Sequence, residues 1–263
     1  MAKLLIGISG WSYPDWAGSF YPVEISKSRW LEYYCHKFAT VEINGSFYRL
    51  PKETTFQKWR DSVTEDFVFA VKASRYITHI KKLNDPVESS ELFLARARSL
   101  KDKLGPVLFQ LPPGLKVRLD KLEQILLSRP RDIRYCFEFR HTSWFCKEVY
   151  DLLRLHNCAL CIADSPKFPL VIQQTADFSY FRLHGATVLY RSRYSPQELE
   201  AWAGRIERFL NEGSDVYVYF DNTDEGYATI NANELMSLLG QRVEIQVPDP
   251  DFRYPIQDSL PFS

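Results

Sequence analysis

The run Thr-Val-Glu-Ile-Asn at residues 40–44 alternates apolar and polar side chains with a period of two. That is the pattern of a strand whose two faces meet different surroundings. Val41 and Ile43 suit a layer of helices. Thr40, Glu42 and Asn44 then point the other way, into whatever the strand encloses. Similar short β-rich runs recur at Leu4–Ser9, Phe67–Lys72, Pro106–Gln110, Ile133–Phe139, Ala159–Asp164, Phe178–His184 and Val216–Asp221, making eight. Between them, helical periodicity marks Ser26–Phe38, Ser89–Lys103, Asp120–Ser128, Pro196–Asn211 and Glu225–Leu239. Ser195, Pro196 and Glu198 have the spacing of a capping box with proline at the first helical position. Eight strands alternating with helices predict a single TIM-like (β/α)₈ barrel over residues 1–240. The stretch 241–263 carries four prolines and no helical period. It is expected to be a tail packed on the barrel or an oligomer contact, and the sequence leaves the oligomeric state open.

Bulk properties agree with one α/β domain. The chain has 263 residues, 45% hydrophobic and 25% charged, enough to bury a core without disulfide or metal staples. Basic and acidic residues number 33 each, so no net field draws the protein to nucleic acid or a membrane. With no apolar run of membrane-spanning length and no leader-like N-terminus, a cytoplasmic location is expected. The five cysteines include Cys158 and Cys161 in a C-x-x-C. That pair lies in an apolar strand rather than at a helix start, so ordinary buried thiols are expected.

The parity that places Glu42 inside also directs Ser9, Lys72, Gln110, Glu138, Asp164, Arg182, His184 and Asp221 inward at the ends of the other strands, with Arg140 just beyond the fifth. A barrel built only for stability would fill these positions with Val, Ile and Leu. Burying ionisable groups costs several kcal/mol each unless they are paired, and the C-terminal mouth is where such barrels carry their sites. The structural alternative is a closed ion-pair network: Glu138 with Arg140, Glu42 with Lys72, and Asp164 or Asp221 with Arg182. Loops on the same face add Arg75, His79, Lys81, Lys82, Arg191 and Arg193, together with Trp11, Tyr13, Trp16, Phe47 and Tyr48. Cations beside aromatics point to a small anionic ligand with flat faces.

These runs resemble the YecE-like proteins, a bacterial and archaeal family whose reaction is not established. The resemblance rests on Ile-Gly-Ile-Ser-Gly-Trp-Ser-Tyr (6–13), Val-Glu-Ile-Asn-Gly-Ser-Phe-Tyr-Arg-Leu-Pro (41–51) and Phe-Ala-Val-Lys-Ala (69–73). It continues through Leu-Gly-Pro-Val-Leu-Phe-Gln-Leu-Pro-Pro (104–113), Phe-Glu-Phe-Arg-His-Thr-Ser-Trp (137–144), Arg-Leu-His-Gly (182–185) and Val-Tyr-Val-Tyr-Phe-Asp-Asn (216–222). It implies a TIM-barrel fold. Gly45 stands where Ser is common in that family, and Asp221 where Asn is common.

The functional expectation is an enzyme performing acid/base chemistry on a phosphorylated or carbohydrate-like ligand, without a cofactor. Glu42 and Glu138 are the candidate acid and base, and His184 and Asp164 the further catalytic candidates. Ser9, Trp11, Tyr13, Asn44, Tyr48, Lys72, Gln110, Arg140, Arg182, Asp221 and Asn222 are the candidate ligand-binding residues. One alternative is a metal-dependent phosphodiesterase or isomerase, with weakly held magnesium or manganese on Glu42, Glu138, Asp164, His184 and Asp221. Another is a non-catalytic binder of an anionic ligand or single-stranded nucleic acid.

Overall fold

Closure is the feature that positions everything else. In a computed structural model describing residues 2–243 and 248, eight parallel strands pair in sequence order and β8 returns to β1. They are β1 (Leu4–Ser9), β2 (Thr40–Ile43), β3 (Val68–Lys72), β4 (Leu104–Gln110), β5 (Tyr135–Glu138), β6 (Ala159–Asp164), β7 (Phe178–Leu183) and β8 (Asp215–Phe220). All eight expected strands are present within a few residues. The predicted tail beyond residue 243 lies outside the described residues, apart from Pro248.

The helices follow the sequence less closely. α1 (Trp30–Tyr34) is only the centre of the run predicted over 26–38 and is led in by a 3₁₀ turn at Lys27–Arg29. α2 (Gly45–Tyr48) and α3 (Glu53–Asp61) follow β2. α4 (Pro86–Ala97) starts three residues earlier than predicted, with Pro86 at its first turn. It gives way to a 3₁₀ stretch, Arg98–Lys103, in which Lys101 takes a positive φ of 54°. α5 (Leu119–Ser128), α6 (Lys147–Leu155), α7 (Pro196–Asn211) and α8 (Tyr227–Gly240) complete the layer. The capping box at Ser195 forms as expected, with the Ser195 hydroxyl accepting from the Glu198 N–H and the Glu198 carboxylate accepting from the Ser195 N–H. α3 and α6 have no counterpart among the predicted helices. Each is nine residues long and buries only one or two residues against the barrel. The β6–β7 connection, residues 165–177, contains no helix. No helix among the described residues is long and apolar enough to cross a membrane.

The barrel interior is aromatic and small rather than aliphatic. Leu5, Ala70, Leu108, Cys136, Ala159, Cys161, Ala163, Phe178, Tyr180, Tyr217 and Tyr219 form an inner cluster, separate from the larger cluster between strands and helices. Tyr219 shares a hydrogen bond with the Thr40 hydroxyl at 2.7 Å, so its phenol is satisfied. At the N-terminal end Arg134 closes the barrel. It donates to Asp215 at 2.8 Å and Tyr217 at 3.0 Å and covers the Phe178 ring.

Cys158 and Cys161 fall on opposite faces of their strand, with Cys158 in the outer cluster and Cys161 in the inner. Both are free, and burial pushes the Cys158 thiol up to about 11. The C-x-x-C is therefore two buried thiols that do not face each other.

Strand β1 passes β2 so closely at Gly7 that a Cβ there would lie 2.0 Å from the Thr40 carbonyl oxygen. Gly7→Ala is expected to destabilise the protein by at least about 1–3 kcal/mol, the usual cost of an overpacked core. Urea unfolding checks this, as a lowered midpoint with an unchanged slope.

Candidate functional site

Ser9, Glu42, Glu138, His184 and Asp221, at or just past the ends of five strands, converge on Arg182. Its side chain is fully buried. Nη1 donates to Glu138 Oε2 at 2.6 Å. Nη2 donates to Glu42 Oε1 and to Asp221 Oδ2, both at 2.8 Å, and Nε reaches Glu42 Oε2 at 3.0 Å. One guanidinium on β7 thus ties together carboxylates from β2, β5 and the end of β8. Bidentate pairing of this kind is what a rigid, planar, permanently charged fork does best.

Glu42 has no spare capacity. Oε1 also accepts from the Ser9 hydroxyl at 2.9 Å, and Oε2 from Tyr180 at 2.7 Å. Glu138 accepts in addition from Arg140 Nε at 2.6 Å. Burial alone would raise the Glu138 carboxyl, but the Arg140 and Arg182 guanidiniums hold it well below the ordinary carboxylate range. Asp221 is lowered as well: burial would raise it, but Arg182, His184 and Lys72 together outweigh that. His184 is buried between them. Its Nε2 lies 3.3 Å from Arg182 Nη1, and its Nδ1 lies 2.9 Å from Asp221 Oδ2 in poor alignment for a hydrogen bond.

Above this tier opens a cavity of about 650 Å³, walled by Tyr13, Asn44, Lys72, Tyr190, Arg191 and Asp221 among others. Tyr13 is anchored by its hydroxyl on the Ser9 carbonyl at 2.5 Å. Asn44 Oδ1 is buried and has no hydrogen-bond partner among the described residues. Arg140, next to the cavity-wall residue Tyr190, lies over the Phe168 ring at 4.3 Å and leaves its buried Nη2 similarly unpaired.

Lys72 differs from the other buried cations. The four buried arginine–carboxylate pairs beneath the cavity go to Arg140 and Arg182, an exposed Arg191–Asp224 pair lies on the wall, and no ion pair to Lys72 exists among the described residues. Its Nζ sits 4.5 Å from the centre of the Phe47 ring. Burial, then the nearby Arg182 charge, lowers its ammonium to about 8, against partial compensation from Glu138, Glu42 and Asp221. On the loop after β3, His79 is lowered to about 4 by burial and by Lys72.

Of the predicted catalytic residues, the structure brings Glu42, Glu138 and His184 together but beneath the cavity rather than on its wall. Asp164 does not join them. It shares the outward parity of Leu160 and Ile162 and accepts from Tyr194 at 2.9 Å and Trp202 Nε1 at 3.2 Å. The inward positions of β6 are Ala159, Cys161 and Ala163, whose small side chains leave room for Arg182 and the tyrosines. A polar strand end was therefore not an inward one there. The Glu42–Lys72 pair of the structural alternative does not form, because Arg182 takes Glu42. Gln110 is buried in register with Glu138. Asn222 braces the loop after β7, donating to the Ser192 carbonyl and to Asn231, both at 3.0 Å. Trp11 packs edge-on against Trp59, and Tyr48 is exposed at the cavity rim.

Two tyrosines escaped the sequence reading. Tyr180 donates its hydroxyl to Glu42 inside the barrel, and its inward parity on β7 was the available signal. Tyr190 crosses the loop after β7 with φ +67° and its N–H on the His184 carbonyl at 2.6 Å. Its ring covers His184 edge-on at 5.6 Å. A left-handed non-glycine residue is a local strain that no sequence pattern announced.

The carboxylates at the centre surround a guanidinium. Among the described residues no three His, Cys, Asp or Glu side chains gather as a set able to hold a metal ion.

Fold and mouth together define a closed parallel (β/α)₈ barrel with an ionic cluster under a cavity at the C-terminal strand ends. The family described as protein of unknown function DUF72 matches residues 5–253, and the chain belongs to it. The UPF0759 protein YunF of Bacillus subtilis is 28% identical over 269 residues, covering 90% of this chain and 94% of that one. The UPF0759 protein YecE of Escherichia coli K12 is 33% identical over 145 residues, about half of each chain (55% and 51%). A crystal structure of a DUF72 family protein from Thermotoga maritima superposes with a TM-score of 0.82 at 31% identity, covering 90% of this chain and 99% of that one. A DUF72 protein of Enterococcus faecalis has the same fold, with a TM-score of 0.80 at 20% identity over 95% of this chain and all of that one. The resemblance noted in the sequence motifs is thereby confirmed, as is the fold it implied.

Removing Glu138 tests the ionic tier. Glu138→Gln leaves two buried guanidiniums short of a counter-charge, and Arg140 is held against Phe168 rather than free to reach solvent. A loss of about 3–5 kcal/mol is expected in denaturant unfolding. The pH dependence has a definite sign. Glu138 and Asp221 stay ionised in the folded state at pH values where the unfolded chain, titrating near about 4, has taken up protons. Wild-type stability is therefore present above that region and falls as pH falls through the lowered values. The variant should show a flatter acid limb in the same series.

Proposed function

We propose that the chain is an enzyme acting by acid/base chemistry on a small anionic ligand held in the mouth cavity. The observation that carries this reading is Lys72: a buried, rigidly placed ammonium on the cavity wall, with no carboxylate partner among the described residues and a titration near about 8. A structural cation would be paired, as Arg140 and Arg182 are. A group exchanging protons near neutral pH is suited to transfer them. The unpaired Arg140 Nη2 and Asn44 Oδ1 supply a donor for the anion and an acceptor for a ligand hydroxyl. Glu42, Glu138 and Arg182 form the fixed base beneath, which sets the field and holds the strand ends in register.

Calorimetry with inorganic phosphate, followed by a panel of sugar phosphates, tests the reading. Wild-type protein is expected to bind. Lys72→Met and Arg140→Gln should each weaken binding by at least about tenfold, or about 1.4 kcal/mol. Retained binding in both variants would overturn the proposal. The groups facing Lys72 are Arg182, Glu138, Glu42, Asp221 and His79, with Asp15, Asp224 and Arg191 completing the wall. Because Lys72 is charged below about 8, its share of the affinity is full at neutral pH and declines as pH rises through that value.

A further inference from the structure

A lysine amine becomes a nucleophile when it is desolvated and set beside another cation, since both lower the cost of holding it unprotonated. Lys72 meets both conditions, and its place is fixed. It is the last residue of β3, and its carbonyl accepts from the Ser46 hydroxyl at 2.6 Å, tying the end of β3 to α2. Phe47, from the same short helix, lies against Nζ. The Phe47 face favours the ammonium by about 0.5–2 kcal/mol, but burial and Arg182 outweigh it, as the lowered titration records.

We propose that Lys72 Nζ condenses with the carbonyl carbon of a small anionic aldehyde or ketone to form an imine. This deepens the anion-site reading and rests on it, with Arg140 Nη2 retaining the anion while Lys72 reacts. The ammonium first releases one proton to solvent. The amine lone pair forms the N–C bond as the carbonyl π pair moves to oxygen. The two remaining N–H protons leave with that oxygen as water, closing the C=N bond. No oxidant or reductant enters the step, and hydrolysis reverses it. The 650 Å³ cavity beside Nζ has room for a small carbonyl compound.

Reductive trapping on wild-type protein gives the test. Glycolaldehyde phosphate and sodium cyanoborohydride are added at limiting reagent, and the adducts are located by peptide mass mapping. Near neutral pH the free-amine fraction of Lys72 exceeds that of a surface lysine by on the order of a hundredfold. Its lower basicity makes each amine somewhat less reactive, so labelling at least about tenfold above that of any other lysine is expected. Inorganic phosphate should slow the labelling. Calorimetry with inorganic phosphate on the same preparation separates the two proposals. Phosphate binding without selective Lys72 labelling overturns the imine and leaves the anion site standing. Labelling spread over surface lysines with no phosphate binding overturns both.

Discussion

A single guanidinium, sealed inside a closed barrel and shared by three carboxylates, is the constraint on which the rest of the mouth depends. Arg182 has no route to solvent, so its charge must be matched where it stands. Glu42, Glu138 and Asp221 do this from three other strands. The demand shapes the surrounding interior. The small inward residues of β6 leave space for the long side chain. Tyr180 and Ser9 occupy the remaining acceptor positions of Glu42, so that no lone pair is left bare. Arg140 balances the second oxygen of Glu138.

That arrangement sets the ion network apart from the open groups of the cavity wall. They occupy different depths. The deep tier is saturated, and Glu138 and Asp221, held ionised, are poor proton donors. The upper tier keeps the groups that the deep tier cannot satisfy: Lys72 because Arg182 has taken Glu42, Arg140 Nη2 because only its Nε meets Glu138, and Asn44 Oδ1 because no donor reaches it. The fixed charges below then act on what lies above. Arg182 pushes the Lys72 ammonium down, and the three carboxylates push back.

Much of this was legible in the sequence, for a definite physical reason. Alternation in Thr40–Asn44 and its counterparts is imposed by two unlike surroundings on each strand, so the eight strands and the inward set could be read directly. The same rule failed at β6. There Ala163 faces inward and Asp164 outward, because the space inside was already claimed by Arg182, and an outer-shell Tyr194 and Trp202 needed an acceptor. Pairing was beyond reach for a similar reason. Whether Glu42 meets Lys72 or Arg182 depends on how far each side chain extends across the barrel, which parity does not encode. The helices α3 and α6 were missed because each spans only nine residues, too short a run for a 3.6-residue period to stand out. Tyr190 was hidden because its strained backbone is held by contacts from elsewhere. The capping box of α7, wholly local, was read without error.

Asp221 brings these strands of argument together. An Asn at this position, which the resemblance implies as the family's common residue, would preserve a hydrogen bond to Arg182 while removing one negative charge. With Asp221 present, three carboxylates face Arg182, Arg140 and Lys72, and the buried charges balance when Lys72 is protonated. With Asn in its place, the same balance is reached when Lys72 is a free amine. The residue at 221 therefore biases the protonation of Lys72. The carboxylate in this chain holds the lysine closer to its charged form than an amide would.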